Sequence, residues 1–265
     1  MKLTVLVDNN TLIDRYYLGE PGASYYLEDG DAKILFDVGY SDVFLKNAAA
    51  LDIDLSQLGQ VVLSHGHNDH TRGLLWLSGQ EYFSKLELVA HPDALEPKMF
   101  DGQDIGAPFT ADELAAKCKL RLSSKPMQLT PRLTFLGEIP VFNDFEQRRS
   151  FGNGSDPVDL VMDDTALAYQ GKNGIFIITG CSHSGICNII EYAKQVCGDS
   201  RISGVIGGWH LFKVDERLEK TISYLQGQHI QELYPCHCCS FKAKAALHAH
   251  VPINEVGVGK KLTII

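Results

Sequence analysis

Four short apolar segments of this chain each run directly into a cluster of polar side chains. The segments, with one histidine from the cluster that follows each, are QVVLS with His65, NGIFIITG with His183, ISGVIGG with His210 and ELYP with His237. Apolar runs of this length are typical of buried β-strands. In layered α/β proteins functional groups collect where strands end, because the sheet is rigid and the loops are accessible. We therefore expect these strand ends to supply one shared site.

Other segments add helices to this pattern. Helical spacing of apolar residues predicts helices at SDVFLKNAAALDID, with Ser41 as N-cap, and at DHTRGLLWL, ADELAAKCK, GICNIIEYAKQV, RLEKTISYLQ and FKAKAALHAH. Further strands are predicted at LTVLVDN, SYYLEDGDAKILFDVG, LELVAHP, LTFLGEI and TALAYQ. The pattern indicates an α/β fold in which two sheets pack together with helices outside. We expect a single domain over residues 1–265.

Composition excludes several classes of protein. The formal net charge of −9 comes from scattered acids, so a surface for nucleic-acid phosphates is not expected. No segment approaches the roughly 18 continuous apolar residues of a membrane helix, and the first residues lack the features of a signal peptide. Seven cysteines, an odd number with three crowded between residues 236 and 239, do not resemble a secreted disulfide framework. We expect a cytoplasmic protein without a membrane partner.

The segment SHGHNDH after QVVLS carries the strongest chemical signal. His65 and His67 are two residues apart on an extended loop, so their side chains point the same way and can bind one cation. Asp69 and His70 follow where a helix is expected to begin, which turns them toward a neighbouring point. This donor set suits zinc, iron or manganese. The alternative is a histidine-rich surface loop, which is disfavoured because an apolar strand leads directly into the cluster.

The motif resembles that of the metallo-β-lactamase superfamily, and the resemblance extends over nearly the whole chain. Within it, one branch includes the dihydropterin–ribofuranosylaminobenzene phosphate synthases of the methanopterin pathway and bacterial hydrolase-like relatives. The segments that resemble this branch are LVDNN, ILFDVG, VVLSHGHNDHTRGL, TGCSHSGICN, IGGWHLF and YPCHC. The resemblance implies a four-layer αββα sandwich with the metal site at one edge of the two sheets.

The resemblance also implies roles for individual residues. The metal ligands that it implies are His65, His67, Asp69, His70, His183 and His237. Asp37 matches an acidic residue that supports the metal loop. Most binuclear members have a bridging aspartate where this chain has Cys181, so the resemblance leaves the second metal open. We expect one or two divalent ions, zinc first, with iron or manganese as alternatives.

Several other residues have two interpretations. His210 either contacts the substrate and its transition state, or adds a ligand, or is a core histidine beside Trp209. Asp164 is either a turn residue before TALAYQ or an oxygen ligand, and Asn9, in LVDNN, is predicted to contact the substrate with His210. The remaining histidines are interpreted as structural or solvated: His91, His229, His248 and His250. The cysteines at 236–239 are interpreted as free thiols rather than a structural zinc site.

The predicted activity is that of a metal-dependent hydrolase-like enzyme. A bound metal would lower the pKa of a water toward ~7, and the resulting hydroxide would attack a carbonyl or phosphoryl centre. Asp69 would orient that water or accept its proton, and His210 would stabilise developing charge. The branch implies an alternative, a transferase that releases diphosphate from a dihydropterin. The substrate would then be a small molecule that is phosphorylated or pterin-like.

Two alternatives belong to other classes. One is a non-catalytic metal or ligand sensor, which the four ligand clusters at strand ends disfavour. The other is a di-iron redox protein. Flavodiiron relatives place a glutamate where this chain has His67 and carry a flavodoxin domain, which this sequence lacks.

Overall fold

Two sheets organise the chain, and each lies in a different unit of the structure. The computed structural model describes residues 1–151 and 158–265. Unit 1 comprises residues 1–124, 150–163 and 257–264, and unit 2 comprises residues 125–149, 164–256 and 265. Each unit encloses a hydrophobic core of its own. The single domain expected from the sequence stays a prediction.

Unit 1 is built on a seven-stranded sheet with the order β15-β1-β2-β3-β4-β5-β8. Its strands are β1 (Lys2–Val7), β2 (Ser24–Asp29), β3 (Ala32–Phe36), β4 (Gln60–Val62), β5 (Glu87–Ala90), β8 (Lys119–Leu122) and β15 (Lys261–Thr263), with β6 (Met99–Phe100) and β7 (Gln103–Asp104) as a separate pair. Strands β3, β4, β5 and β8 pair in parallel. The carboxyl ends of β3 and β4 therefore lie side by side at one edge of the sheet.

The helices of unit 1 are short. They are α1 (Val43–Ala50), α2 (Asn68–Thr71), α3 (Leu74–Leu77) and α4 (Ala111–Ala115), with 3₁₀ turns at Leu55–Gln57, Phe83–Lys85 and Pro92–Leu95. The single helix predicted for DHTRGLLWL is wrong: it is interrupted between α2 and α3. The Gly73 amide donates to the Gly39 carbonyl, at 3.0 Å, instead of continuing the helix. A side chain at Gly73 would also strike the Val38 carbonyl.

Unit 2 is built on a six-stranded sheet with the order β14-β13-β12-β11-β10-β9. Its elements are β9 (Met127–Gln128), β10 (Leu133–Phe135), β11 (Ala166–Gly171), β12 (Gly174–Thr179), α5 (Ile186–Cys197), β13 (Ile202–Gly208), α6 (Glu216–Gln228), β14 (Glu232–Cys236) and α7 (Phe241–His250). Strands β12, β13 and β14 are parallel and are connected through α5 and α6. Their carboxyl ends therefore share one edge, where ligands bind in open α/β sheets. Within residues 1–151 and 158–265, no helix is long and apolar enough to cross a membrane.

Candidate metal centre

The loop after β4 brings the rings of the first two predicted ligands close together, at an interplanar angle of 78°. Nε2 of His65 lies 3.1 Å from Nδ1 of His67, and the two ring centroids are 4.6 Å apart. Both side chains are buried. On the other side of the His65 ring, Nδ1 contacts the Ser64 hydroxyl at 2.9 Å, which sets the orientation of the imidazole. Two buried imidazoles with facing nitrogens are suited to bind one cation.

The Asp37 carboxylate fixes the rest of this motif from the end of β3. One oxygen accepts the Ser64 amide at 2.7 Å, and the other lies 2.7 Å from both the Ser64 hydroxyl and Nδ1 of His70. On the opposite side of the ring, Nε2 of His70 lies 3.6 Å from the Asp69 carboxylate. A histidine whose outer nitrogen is held by a carboxylate is the usual arrangement behind a metal ligand.

Burial also sets the protonation of the motif. It lowers the pKa of His67 to about 4, although the neighbouring carboxylates of Asp69 and Asp163 raise that pKa in part. His67 is therefore neutral near pH 7, which is the state that a metal requires. The chemistry of this donor set, buried imidazoles beside one partly exposed carboxylate, fits zinc, manganese or iron.

The parallel strands of unit 2 deliver a second group of predicted residues. Cys181 and His183 follow β12, His210 follows β13, and His237 follows β14. One potential ligand atom from each of Cys181, His183 and His210 lies within 4.8 Å of the others. Nε2 of His237 lies 3.2 Å from the Cys181 sulfur, and the rings of His183 and His210 are 4.3 Å apart. Four potential metal ligands from the sequence prediction therefore lie together at this edge of the sheet.

The backbone near these residues is strained. Ser182, His210 and His237 have φ values of +52°, +50° and +47°, and Asp37 in unit 1 has +60°. Such conformations cost non-glycine residues about 1–3 kcal/mol each and persist only where surrounding contacts enforce them. The Ser182 hydroxyl donates to the Gly208 carbonyl at 2.6 Å, and the His210 amide donates to a cysteine sulfur at 3.3 Å. Strain of this kind concentrates at functional sites.

Asp164 lies behind the turn that carries His183. The Ser184 amide donates to its carboxylate at 2.8 Å, and the Ser184 hydroxyl donates to the same oxygen. Burial raises the pKa of Asp164 to about 6, and the bonds from Ser184 lower it only in part. Its contacts are those of a residue that supports the turn.

Asn9 lies beside the ligand loop of unit 1, on the exposed side. Its side-chain oxygen accepts the Gly22 amide at 3.4 Å, and the backbone of Gly22 packs directly against the Asp69 carbonyl. Sequence reasoning gave no role to Phe151, whose ring centroid lies 4.5 Å from that of His67. No local pattern connects residues so far apart in the chain, so this contact had no sequence signal.

The remaining histidines differ in their burial. His91 is buried, and its Nδ1 accepts the Asp93 amide at 3.2 Å. His248 and His250 are exposed on α7. All seven cysteines lie within the described residues, and none of them forms a disulfide.

Comparison with known proteins identifies relatives of this chain. The sequence profile of the metallo-beta-lactamase superfamily matches residues 18–196. An uncharacterized protein of Methanocaldococcus jannaschii is 32% identical over 249 residues, which are 92% of this chain and 93% of that protein. The 7,8-dihydropterin-6-methyl-4-(beta-D-ribofuranosyl)-aminobenzene-5'-phosphate synthase of the same organism is 30% identical over 263 residues, covering 92% of this chain and 89% of the synthase.

Solved structures agree with the sequence comparison. A crystal structure described as a metal-dependent hydrolase of the beta-lactamase superfamily has a TM-score of 0.84 and 31% identity, covering 100% of this chain and 99% of that one. Zn²⁺-bound PqqB from Methylobacterium extorquens has a TM-score of 0.58 at 13% identity, covering 100% of both chains. The second likeness shows the fold alone. Together with the profile match, these structures confirm the α/β fold class predicted from the sequence.

Proposed function

The chain belongs to the metallo-β-lactamase superfamily, and from that premise we propose that it is a metal-dependent hydrolase-like enzyme acting on a small molecule. The observation that carries the proposal is the buried pair His65 and His67, next to a His70 ring that Asp37 holds in place. A solvated histidine-rich loop needs neither the burial nor the carboxylate behind it.

The proposed ligands are the residues that the sequence predicts: His65, His67, Asp69, His70, His183 and His237. They would hold one or two divalent ions, zinc first, with iron or manganese as alternatives. When bound, such an ion lowers the pKa of a water and polarises a carbonyl or phosphoryl oxygen. The family membership and the donor chemistry of each group support this assignment.

Two side chains have further roles in the proposal. The Asp69 carboxylate is partly exposed and lies 3.6 Å from His70, so it can accept a proton from an attacking nucleophile at the mouth of the site. The His210 ring is partly exposed and packs against His183 and Phe212, with centroids 4.3 and 4.8 Å away. These contacts orient His210 to stabilise developing negative charge. Asn9 is proposed to contact the substrate as well.

A second candidate is a transferase. The synthase relative, whose name describes a product with a dihydropterin and a ribosyl phosphate, is 30% identical over 92% of this chain. In that case a dihydropterin diphosphate would be the electrophile, an aromatic ribosyl phosphate would be the nucleophile, and diphosphate would leave. The proposed substrate class, phosphorylated or pterin-like, suits both candidates.

One experiment separates these activities. Protein loaded with Zn²⁺, Mn²⁺ or Fe²⁺ is incubated in ¹⁸O-water with phosphodiesters, lactones and a dihydropterin diphosphate, with and without an aromatic ribosyl phosphate. Incorporation of ¹⁸O into a product indicates a hydrolase. Diphosphate release that depends on the aromatic ribosyl phosphate indicates the transferase. Metal-loaded protein that turns over none of these compounds, while a ligand from the panel changes its thermal stability, would favour a sensor.

A further inference from the structure

We propose that Lys98 and Asp163 are positioning residues that fix the peptide between the metal-binding histidines His65 and His67. The inference rests on the proposed metal site and extends it to a charged pair in unit 1, more than 25 residues from the histidines in sequence. Neither residue belongs to the donor set itself.

The contacts run from the ligand loop through Asp163 to the buried ammonium of Lys98. Oδ2 of Asp163 accepts the Gly66 amide at 2.7 Å. Oδ1 of the same carboxylate lies 3.0 Å from the Lys98 ammonium, which also contacts Asp159 at 3.2 Å. Both ends of the Asp163–Lys98 pair are buried, with side-chain exposures of 0% and 4%. Each oxygen of the Asp163 carboxylate thus has one partner: Oδ2 accepts the Gly66 amide, and Oδ1 pairs with the Lys98 ammonium.

The charge on Lys98 makes this arrangement possible. A buried carboxylate without a counterion is strongly disfavoured, and the Lys98 ammonium supplies that counterion to Asp163 at 3.0 Å. An ionised acceptor forms a shorter and stronger hydrogen bond to an amide than a neutral one does. Lys98 therefore acts on the Gly66 amide through Asp163.

Packing removes the remaining freedom of the loop. A Cβ atom at Gly66 would lie 2.3 Å from the Ala94 carbonyl oxygen and 2.6 Å from Cε of Lys98. The backbone at Gly66 therefore lies directly against the segment that carries the lysine. With its amide bonded and its Cα in contact, the peptide has one orientation, and that orientation sets where the rings of His65 and His67 point.

The test measures metal affinity and loop order separately. Zn²⁺ affinity is determined by competition with a chromogenic chelator for the unmodified protein, Asp163→Ala, Asp163→Asn, Lys98→Met and the double variant Lys98→Met/Asp163→Ala. Lys46→Met is the matched control, because Lys46 forms an exposed ion pair with Asp42 at 2.9 Å. Hydrogen exchange of the Gly66 amide is followed by NMR in the metal-free proteins.

We expect Asp163→Ala and Lys98→Met to bind Zn²⁺ about 10- to 100-fold more weakly. The double variant should lose no more than about threefold beyond Asp163→Ala, because the two residues act as one unit. Asp163→Asn, which keeps an acceptor oxygen, should retain part of the affinity. Gly66 exchange should accelerate in Asp163→Ala and stay unchanged in Lys46→Met.

Folded Asp163→Ala and Lys98→Met proteins with unchanged Zn²⁺ affinity would overturn the inference, as would a double variant whose loss is the product of the single losses. If Asp163→Ala does not fold, the Zn²⁺ affinities of Asp163→Asn and Lys98→Met are used instead, and unchanged affinity in both would overturn the inference. Unmodified protein that binds no Zn²⁺, Mn²⁺ or Fe²⁺ overturns the proposed function and this inference together. Metal binding that is equal in all variants overturns this inference alone.

Discussion

Oδ2 of Asp37 lies 2.7 Å from Nδ1 of His70, and both side chains are fully buried. The same carboxylate also accepts the amide and hydroxyl of Ser64, the residue before His65. One acid from β3 therefore orients both ends of the metal motif. Because a buried carboxylate paired with an imidazole holds its tautomer as well as its position, this contact determines which nitrogen His70 presents to a metal.

Asp37→Asn should weaken metal binding without unfolding the protein. The asparagine keeps the size of the side chain but loses the charge that pairs with His70, so we expect a loss of about 10- to 100-fold in Zn²⁺ affinity. Chelator competition measures the affinity, and circular dichroism checks the fold. Asp42→Asn, at a partly exposed position away from the metal motif, is the control. Affinity equal to that of the unmodified protein would show that Asp37 does not act through His70.

His65→Ala and His67→Ala should each abolish tight metal binding and activity while the fold survives. A chain of this size buries enough surface to fold without a metal, and each lost imidazole removes one donor from the facing pair. Elemental analysis after dialysis measures the bound metal. His248→Ala, on the exposed face of α7, is the matched control and should retain full metal content. Full retention in both loop variants contradicts the proposed ligand set.

Cys181 should limit the metal content to about one ion per chain after dialysis, rising when metal is added in excess. A bridging aspartate has two oxygens that join cations ~3.5–4 Å apart, whereas the Cys181 thiol lies 3.2 Å from Nε2 of His237 and can bond to that imidazole instead. Cys181→Asp should raise the occupancy of the second ion. Cys197→Ser, on α5, is the control. Two ions that survive dialysis in the unmodified protein would contradict this prediction and point to Cys181 or Asp164 as a ligand.

Glu146→Ala should lower the free energy of unfolding by about 1–3 kcal/mol. The buried Glu146 carboxylate accepts the amides of Cys187 and Asn188, at 3.2 and 3.0 Å, and so caps the first turn of α5. Without it these buried donors lose their partner. Urea unfolding of the metal-free protein measures the change. Glu219 is exposed in the first turn of α6, so the control Glu219→Ala should change the free energy of unfolding by less than about 0.5 kcal/mol. Equal losses in the two variants would contradict the capping role of Glu146.

Asp164 should make the metal-free protein more stable at lower pH over part of the titration range. Burial raises its pKa from 3.8 to about 6, so its stabilising contribution is complete below 3.8 and is lost as the pH rises through about 6. The difference in unfolding free energy between the unmodified protein and Asp164→Asn should therefore fall by on the order of 1 kcal/mol between pH 5 and pH 7.5. A difference that is constant over this range, or that grows, contradicts the raised pKa.

Local patterns were sufficient for the main elements and for the identity of the candidate donors. The apolar run NGIFIITG became β12 at Gly174–Thr179, and GICNIIEYAKQV became α5 at Ile186–Cys197. The spacing of His65 and His67 placed their nitrogens face to face. Such features depend on side-chain periodicity and on residues close in sequence, which is why the sequence reveals them. The ligand set as a whole stays a prediction.

Long-range contacts could not be predicted in this way. The edge strand β15 exists because Thr263 pairs with Lys2 at the other end of the chain. The break between α2 and α3 depends on a hydrogen bond from Gly73 to a distant carbonyl. Asp163, to which no local pattern gives this role, accepts a hydrogen bond from the Gly66 amide 97 residues away. The sequence by itself thus determined which side chains can bind a metal. Only the tertiary structure decided that Asp163, in addition to Asp37, holds the ligand loop in place, because that contact depends on groups that approach each other only when the chain folds.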